Sequence, residues 1–172
     1  MIKKMAIVLM SAVIGTSLYA GNYDAGTKGF LGIELGAGTV QAERLNDFNH
    51  EGSAVEYGIR FGAQSQEWRA TFAFDYFDSS SDDQNVEKGL FMIDYFLLNR
   101  NGIRPFVGAN TGLINYESTG VDATDFIYGG QVGVIVNVLD SMDLDLSYRY
   151  SLSGSTQVNN LGSIVFGLNY LY

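Results

Sequence analysis

The stretch VEYGIRFGAQ, residues 55–64, decides the fold of this chain, because every second residue in it is apolar. The odd positions hold Val55, Tyr57, Ile59, Phe61 and Ala63, whereas the even positions hold glycine, a charged residue or an amide. Alternation with a period of two is typical of a β-strand with one apolar and one polar face. The stretch therefore predicts a strand whose two faces meet different surroundings.

Seven further stretches alternate in the same way, at residues 30–40, 68–77, 88–97, 103–113, 128–138, 143–150 and 163–172. Most are close to the roughly 9–11 residues that a tilted strand needs to cross a bilayer. Longer connections (41–52, 78–86, 115–125 and 151–160) alternate with short ones (65–67, 98–102 and 139–141). Long connections at one end and short turns at the other are typical of membrane barrels. The pattern predicts an all-β, eight-stranded, antiparallel, up-and-down transmembrane β-barrel.

The first twenty residues have a composition of their own. Lys3 and Lys4 precede a mostly apolar stretch at residues 5–14, and small or polar residues then lead to Ala20. This order is that of a secretory signal peptide. We expect a signal peptide at residues 1–20, a barrel domain at residues 21–172, and export of the chain.

Composition excludes several classes of function. The 172 residues include no cysteine and one histidine, and their formal net charge is −9. Disulfides, thiolate zinc sites and thiol nucleophiles are therefore impossible, and an acidic chain is a poor partner for nucleic acid. We expect no enzyme activity, no cofactor, and no catalytic or metal-binding residues.

Alternation alone does not say which face of the barrel points outward, since a soluble barrel with an apolar pocket alternates too. Two features favour an apolar face toward lipid. The polar face is dominated by glycine, serine and asparagine rather than by lysine and glutamate. Aromatic residues also form two belts near the strand ends, which is typical of membrane interfaces. The belt toward the long connections comprises Tyr57, Tyr76, Tyr128 and Tyr150, and the other comprises Trp68, Tyr95, Tyr170 and Tyr172.

Three segments resemble a known family. The run PFVGANTG at residues 105–112, the run SYRY at residues 147–150, and the C-terminal Gly167, Tyr170 and Tyr172 are similar to motifs of small eight-stranded outer-membrane barrels of Gram-negative bacteria. That group contains the OmpA transmembrane domain, OmpX and the opacity proteins. The resemblance implies a barrel in the bacterial outer membrane with extracellular loops and periplasmic termini.

Partners follow from the same resemblance. It implies contact with outer-membrane lipid and lipopolysaccharide, and insertion by the barrel-assembly machinery. Gly167, Tyr170 and Tyr172 resemble the signal that this machinery reads. We expect a monomer, with a host or surface ligand as a further partner of the loops.

The inward face collects charged residues of both signs. An unpaired charge inside a narrow barrel is costly, so we expect acids and bases to pair across the lumen. The predicted network comprises Glu34, Glu56, Asp75, Asp94, Asp143 and Asp145 together with Arg60, Arg69, Lys88 and Arg149. Glu34 and Arg60, near the middle of adjacent strands, are expected to belong to one such network.

Other interpretations of these residues are weaker. Asp143 and Asp145 share a face, but two carboxylates are too few for a calcium site. The glycines of residues 29–38 follow the strand period and lack the lysine of a phosphate-binding loop. His50, Glu51 and Ser53 are the residue types of an esterase triad, yet they are near neighbours in one loop.

The longer connections are acidic. The first three contain Glu43, Asp47, Glu51, Asp78, Asp82, Asp83, Glu117, Asp122 and Asp125, with Arg44 as their one base. Such surface loops give solubility, bind divalent cations that bridge to lipopolysaccharide phosphates, or contact a basic host partner. The sequence predicts a structural outer-membrane barrel that displays four short, mostly acidic loops for envelope integrity or adhesion. A small channel or hydrophobic-solute conduit is the alternative, followed by a lipid-modifying enzyme.

Overall fold

The computed structural model describes residues 26–44, 47–79, 84–118, 121–154 and 158–172. The predicted signal peptide lies outside these residues. Eight strands follow one another along the chain: β1 Lys28–Arg44, β2 Asp47–Gln64, β3 Trp68–Ser79, β4 Gln84–Phe96, β5 Ile103–Ser118, β6 Val121–Leu139, β7 Met142–Ser153 and β8 Val158–Leu171. Among the described residues, no helix has the length and apolarity to cross a bilayer.

The strands close into a barrel in which each pairs with its sequence neighbours and β1 pairs with β8. All eight pairings are antiparallel. The path of paired residues that starts at Gln64 and Arg69 circles the barrel and returns to β2 at Ala54. This stagger along β2 requires strands that are strongly tilted against the barrel axis. The predicted fold class is confirmed.

The turn between β4 and β5 shows why the short connections are short. Asn101 and Gly102 both have positive φ, at 53° and 77°. Arg100 and Ile103 exchange two backbone hydrogen bonds around them, at 3.1 and 2.9 Å. This is the type I′ hairpin that an Asn-Gly pair favours, because its twist matches that of the flanking strands.

The structure corrects the predicted lengths of the longer connections, which are shorter than the alternation indicated. Strand pairing continues well beyond the apolar rows, so that Gln41 pairs with Glu51 and Glu117 with Asp122. Of the nine predicted loop acids, Glu43, Asp47, Glu51, Asp78, Glu117, Asp122 and Asp125 lie within strands, and Asp82 and Asp83 lie outside the described residues. Backbone hydrogen bonds hold an antiparallel ladder together whatever side chains it carries. Alternation therefore marks only the part of a strand that has an apolar face.

The outer face of the barrel is apolar between the strand ends. Ile33, Ile59 and Ile164 are 62%, 56% and 59% exposed, and 29 large apolar side chains are exposed in the described part of the chain. Soluble monomers rarely show contiguous apolar surface on this scale. The orientation predicted from the sequence, with the apolar rows outward, is the one the structure has.

Aromatic side chains lie in pairs near both ends of this apolar surface. Tyr57 and Tyr76, toward the longer connections, have ring centroids 5.5 Å apart. Trp68 and Tyr95, beside the short turns, have centroids 4.8 Å apart. Both pairs are neighbours across strands in the barrel register, which is the arrangement in which aromatic pairs stabilise a sheet.

Candidate functional site

The interior of the barrel contains all ten charged residues that the sequence placed there, and all ten are buried. The alternation of each strand directs them inward, since they occupy even positions on β1, β2 and β4 and odd positions on β3 and β7. The members are Glu34, Glu56, Asp75, Asp94, Asp143 and Asp145 with Arg60, Arg69, Lys88 and Arg149. Ion pairs join nine of them into one charge network across the lumen, and Asp143 lies apart from it.

Arg149 of β7 and Glu34 of β1 form the most complete ion pair in the barrel. Nη1 and Nη2 of Arg149 donate to Oε1 and Oε2 of Glu34 at 2.6 and 2.8 Å. Nη1 also lies 3.4 Å from Oδ2 of Asp75 on β3. A bidentate guanidinium–carboxylate pair is strong and geometrically specific. This pair joins strands from the two ends of the chain.

Arg60 of β2 makes a second connection between the chain ends. Its Nε donates to Oδ1 of Asn169 on β8 at 2.7 Å, and its Nη2 lies 3.3 Å from Oδ2 of Asp145 on β7. Nη1 lies 3.4 Å from Oε2 of Glu34. Glu34 and Arg60 are thus brought together, and Glu34 is shared by two guanidinium groups.

Arg69 and Lys88 extend the network to β3 and β4. Arg69 Nη2 lies 2.7 Å from Oδ2 of Asp94, and Arg69 Nη1 pairs with Asp145. Lys88 pairs with Glu56 and lies 3.8 Å from Asp75. Asp145 is therefore paired with arginines from two strands. Lys88 and Arg149 together pair with the carboxylates of Glu34, Glu56 and Asp75.

Near the short turns, Asp143 is the centre of a separate polar group that includes a base missed by the sequence interpretation. Arg104 Nη2 lies 3.0 Å from Asp143 Oδ2, and Gln64 donates to the same oxygen at 2.7 Å. Asn137 donates to Oδ1 at 2.9 Å. Arg104 belongs to the inward set of β5, two residues before Phe106, so the alternation of the stretch 103–113 itself would have found it. Its guanidinium also lies over the ring of Phe96, 4.5 Å from the centroid.

Glycines make the room that these side chains occupy. Five of the six acids stand directly opposite an inward glycine of a neighbouring strand, as Glu34 does at Gly58 and Gly167. A Cβ on Gly167 would overlap the Arg60 guanidinium, and one on Gly58 would overlap the Asp75 carboxylate. A narrow lumen filled by large charged side chains therefore needs glycine opposite them.

Two apolar clusters lie beside the charge network in the lumen. Phe96, Phe106 and Ile135 pack together toward the short turns. A second cluster reaches toward the longer connections and comprises Ala73, Leu90, Met92, Ile114, Ile127 and Leu161. The sequence indicates these clusters only through β4, where both faces carry apolar residues. Both clusters are buried and lie beside the ion pairs in the lumen.

The structure offers no support for a metal at Asp143 and Asp145. The two carboxylates belong to different groups, one around Arg104 and the other around Arg60 and Arg69. Within the described ranges, no three acidic or histidine side chains gather in a way that could hold a metal ion. The side chains of His50, Glu51 and Ser53 lie outside what the structure describes.

The C-terminal residues that resemble an assembly signal lie on different faces of the barrel wall. Gly167 faces the lumen beneath Arg60, whereas Tyr170 and Tyr172 face outward and are exposed. Tyr172 exchanges backbone hydrogen bonds with Gly29 at 2.9 and 3.0 Å. Their recognition by the assembly machinery stays a prediction.

Comparison with known proteins identifies the fold. No protein-family model matches the sequence, and no curated protein is significantly similar to it. Among solved structures, the chain is similar to neisserial surface protein A, with 18% identity and a TM-score of 0.64 over 83% of this chain and 97% of that one. Outer membrane protein H of P. aeruginosa gives 20% identity and a TM-score of 0.62 over 84% of this chain and 99% of that one.

A third similar structure is Ail, the attachment invasion locus protein of Yersinia pestis. It has 15% identity and a TM-score of 0.51, over 84% of this chain and 99% of that one. At these identities the likeness shows the fold. The chain has the fold of the small eight-stranded outer-membrane β-barrels, and the resemblance predicted from its motifs is confirmed.

Proposed function

We propose, from the fold it shares with outer-membrane barrels, that this chain is a structural protein of the bacterial outer membrane. In this proposal the sealed barrel anchors acidic hairpin ends at the cell surface, and both chain ends of the mature protein lie in the periplasm. The outward apolar face supports residence in a bilayer. The filled interior supports a structural role.

The filled lumen is the observation that carries the proposal. Conduction needs a continuous water path, yet buried ion pairs and buried apolar clusters occupy the lumen side by side. Opening the path would separate buried charges from their partners, which costs several kcal/mol per ion. A sealed anchor therefore fits the interior better than the alternative of a small channel or solute conduit.

Planar-bilayer recording of the purified, folded protein tests this role. We expect no steady conductance, whereas reproducible single-channel steps would contradict the proposal and favour the channel. Gel mobility before and after boiling provides the control for folding, because folded barrels of this type migrate anomalously until heated. A protein that shifts on boiling and stays silent in the bilayer supports the sealed anchor.

Orientation needs a separate test in cells. We propose that the longer connections face the outside and that the short turns face the periplasm. An epitope tag inserted between Ser80 and Asp83 should be accessible to antibody on intact cells, whereas one at Gln66 should not. Accessibility of the Gln66 tag alone would contradict the proposed orientation, and accessibility of neither tag would contradict surface display.

The acidic hairpin ends suggest the chemistry of a surface partner. Ail has also been solved in complex with the heparin analogue sucrose octasulfate, a polyanion, whereas the first three hairpin ends of this chain carry nine acids and one base. Like charges repel, so we infer a cationic partner: divalent ions bridging to lipopolysaccharide phosphates, or a basic host protein.

Neutralising these acids distinguishes the two partners. Cells that carry Asn or Gln at all nine positions should bind host matrix less if the partner is a host protein. If the partner is a divalent ion, they should instead lose the part of their envelope resistance that chelators abolish. Unchanged adhesion together with unchanged resistance would contradict a binding role for the loops and leave the barrel as an anchor alone.

A further inference from the structure

Two neighbouring short turns expose apolar side chains where turns are ordinarily polar. Leu97 and Leu98, directly after β4, are 55% and 60% exposed. Val138 and Leu139, at the end of β6, are 54% and 56% exposed. In each pair the two residues are consecutive, so strand alternation does not account for both. By contrast, the turn between β2 and β3 consists of Ser65, Gln66 and Glu67.

The two turns form one surface. Asn137 donates its backbone N–H to the carbonyl of Gly102 at 2.8 Å, which ties the end of β6 to the β4–β5 turn. Exposed Ile103 pairs with Val136 between them. This surface continues the outward apolar face without a break, because Leu97, directly after β4, extends the row of Ile93 and Tyr95.

A cation lies at the tip of this surface. Arg100 is exposed and stands in the bend between Leu98 and Ile103. In the described part of the chain no carboxylate forms an ion pair with it, whereas the inward-facing arginines all have one. An arginine beside exposed leucines is the combination found where proteins enter the headgroup region of a bilayer.

We propose that Leu97, Leu98, Ile103, Val138 and Leu139 form a lipid-docking surface, and that Arg100 binds the phosphate of an anionic phospholipid there. The inference rests on the proposed function, which places the outward face in acyl chains. Continuity with that face identifies the occupant as lipid rather than a second protein. The barrel would then enter the leaflet beside its short turns more deeply at β4–β6 than at β2–β3.

Tryptophan fluorescence in vesicles with brominated acyl chains tests the proposal. Trp68 is the one tryptophan of the chain, so Trp68→Phe gives a silent background that accepts one probe at a time. The probes are Leu98→Trp on the docking surface, Gln66→Trp on the polar turn, and Phe72→Trp on the outward face. Bromine near the headgroups should quench the tryptophan fluorescence of the Leu98→Trp variant by about half. It should quench that of the Gln66→Trp variant much less, because only position 98 enters the leaflet.

The Phe72→Trp probe separates failure of the inference from failure of the proposed function. If deep bromines quench Phe72→Trp but none quenches Leu98→Trp, the barrel lies in the bilayer and the docking surface is refuted. If neither probe is quenched, the outward face does not contact acyl chains and the proposed function fails as well. Quenching of the Leu98→Trp probe that is lost even at moderate protein density would assign the surface to a second copy, which shields the probe from brominated lipid, and would refute lipid docking.

Arg100→Gln tests the headgroup contact. In phosphatidylglycerol vesicles it should lower the quenching of Leu98→Trp, and in phosphatidylcholine vesicles it should leave the quenching unchanged. Equal quenching with and without Arg100 in phosphatidylglycerol would overturn the anionic-lipid part of the proposal. Arg100→Lys should restore most of the effect, since a point charge still attracts the phosphate.

Discussion

The two sides of the lumen differ in chemistry although the same alternation builds both. Strands β1, β2, β7 and β8, on either side of the seam where the chain ends meet, are joined by directional contacts such as Arg149–Glu34 and Arg60–Asn169. The lumen beside strands β4–β6 is filled largely by apolar side chains, among them Leu90, Ile114 and Ile127. Directional bonding is thus concentrated where no turn connects the strands.

Register explains this difference. A short turn fixes the pairing of the two strands that it joins, but β1 and β8 have no such turn. A slip of one residue would reverse their faces, whereas a slip of two would preserve the alternation and the apolar rows. Arg60–Asn169 and Arg149–Glu34 favour one register among those that alternation allows. We therefore interpret the charges at the seam as the determinants of how the barrel closes.

Breaking the Arg149–Glu34 pair should have the largest effect on stability. Arg149→Met leaves the Glu34 carboxylate without its bidentate partner and removes one cation from Asp75, so we expect a loss of about 3–5 kcal/mol in the free energy of unfolding. Urea unfolding in lipid vesicles measures it. Glu34→Leu combined with Arg149→Met should lose less than Arg149→Met alone. A double variant that is less stable than the single one would contradict the account.

A cavity on the apolar side of the lumen should have the second-largest effect on stability. Ile127→Ala removes a buried side chain from the cluster around Leu90 and Ile114, and it should cost about 2–4 kcal/mol in unfolding free energy. Ile127→Val is the matched control, at roughly 0.5–1.5 kcal/mol. The same urea titration applies. If Ile127→Ala proved harmless while Arg149→Met did not, packing would contribute little on this side of the lumen.

Arg60→Ala should destabilise less than Arg149→Met. Its carboxylate partners each keep a second guanidinium, Glu34 that of Arg149 and Asp145 that of Arg69. We expect a loss of about 2 kcal/mol, typical of hydrogen bonds to charged groups, and a lower unfolding temperature by circular dichroism. Asn169→Ala should reproduce part of this loss. An unchanged unfolding temperature in Arg60→Ala would remove Arg60 from the network that stabilises closure.

The smallest expected effect tests the glycine at the seam. Gly167→Ala places a methyl group against the Arg60 guanidinium and should cost about 1–2 kcal/mol through crowding. Gly130→Ala is the control, because the new Cβ would face outward with Gly108 O as its nearest neighbour at 3.4 Å. Equal stabilities of the two variants would mean that Arg60 adjusts freely and that the close fit is unimportant.

Much of this structure can be predicted from the order of polar and apolar residues in the sequence. The eight strands could be inferred because a strand turns each successive side chain to the opposite face. The interior position of all ten predicted charges followed from the glycine-rich polar rows and the aromatic belts. The strand ends could not be inferred, since Glu51 or Asp122 pairs in a ladder without any apolar signal. Arg104 lies inside the alternating stretch 103–113, on the inward row of β5, but is absent from the predicted charge network.

The sequence by itself determined that the chain forms a barrel, because a period of two needs no knowledge of distant neighbours. The composition of the polar rows and the aromatic belts then indicated that the charges lie inside. Only the tertiary structure decided which charges meet. Arg149 and Glu34 are 115 residues apart in the chain, and their contact depends on the tilt and stagger that bring β7 near β1. Pairing across a closed barrel is set by the register of all eight strands together, and no single segment encodes it.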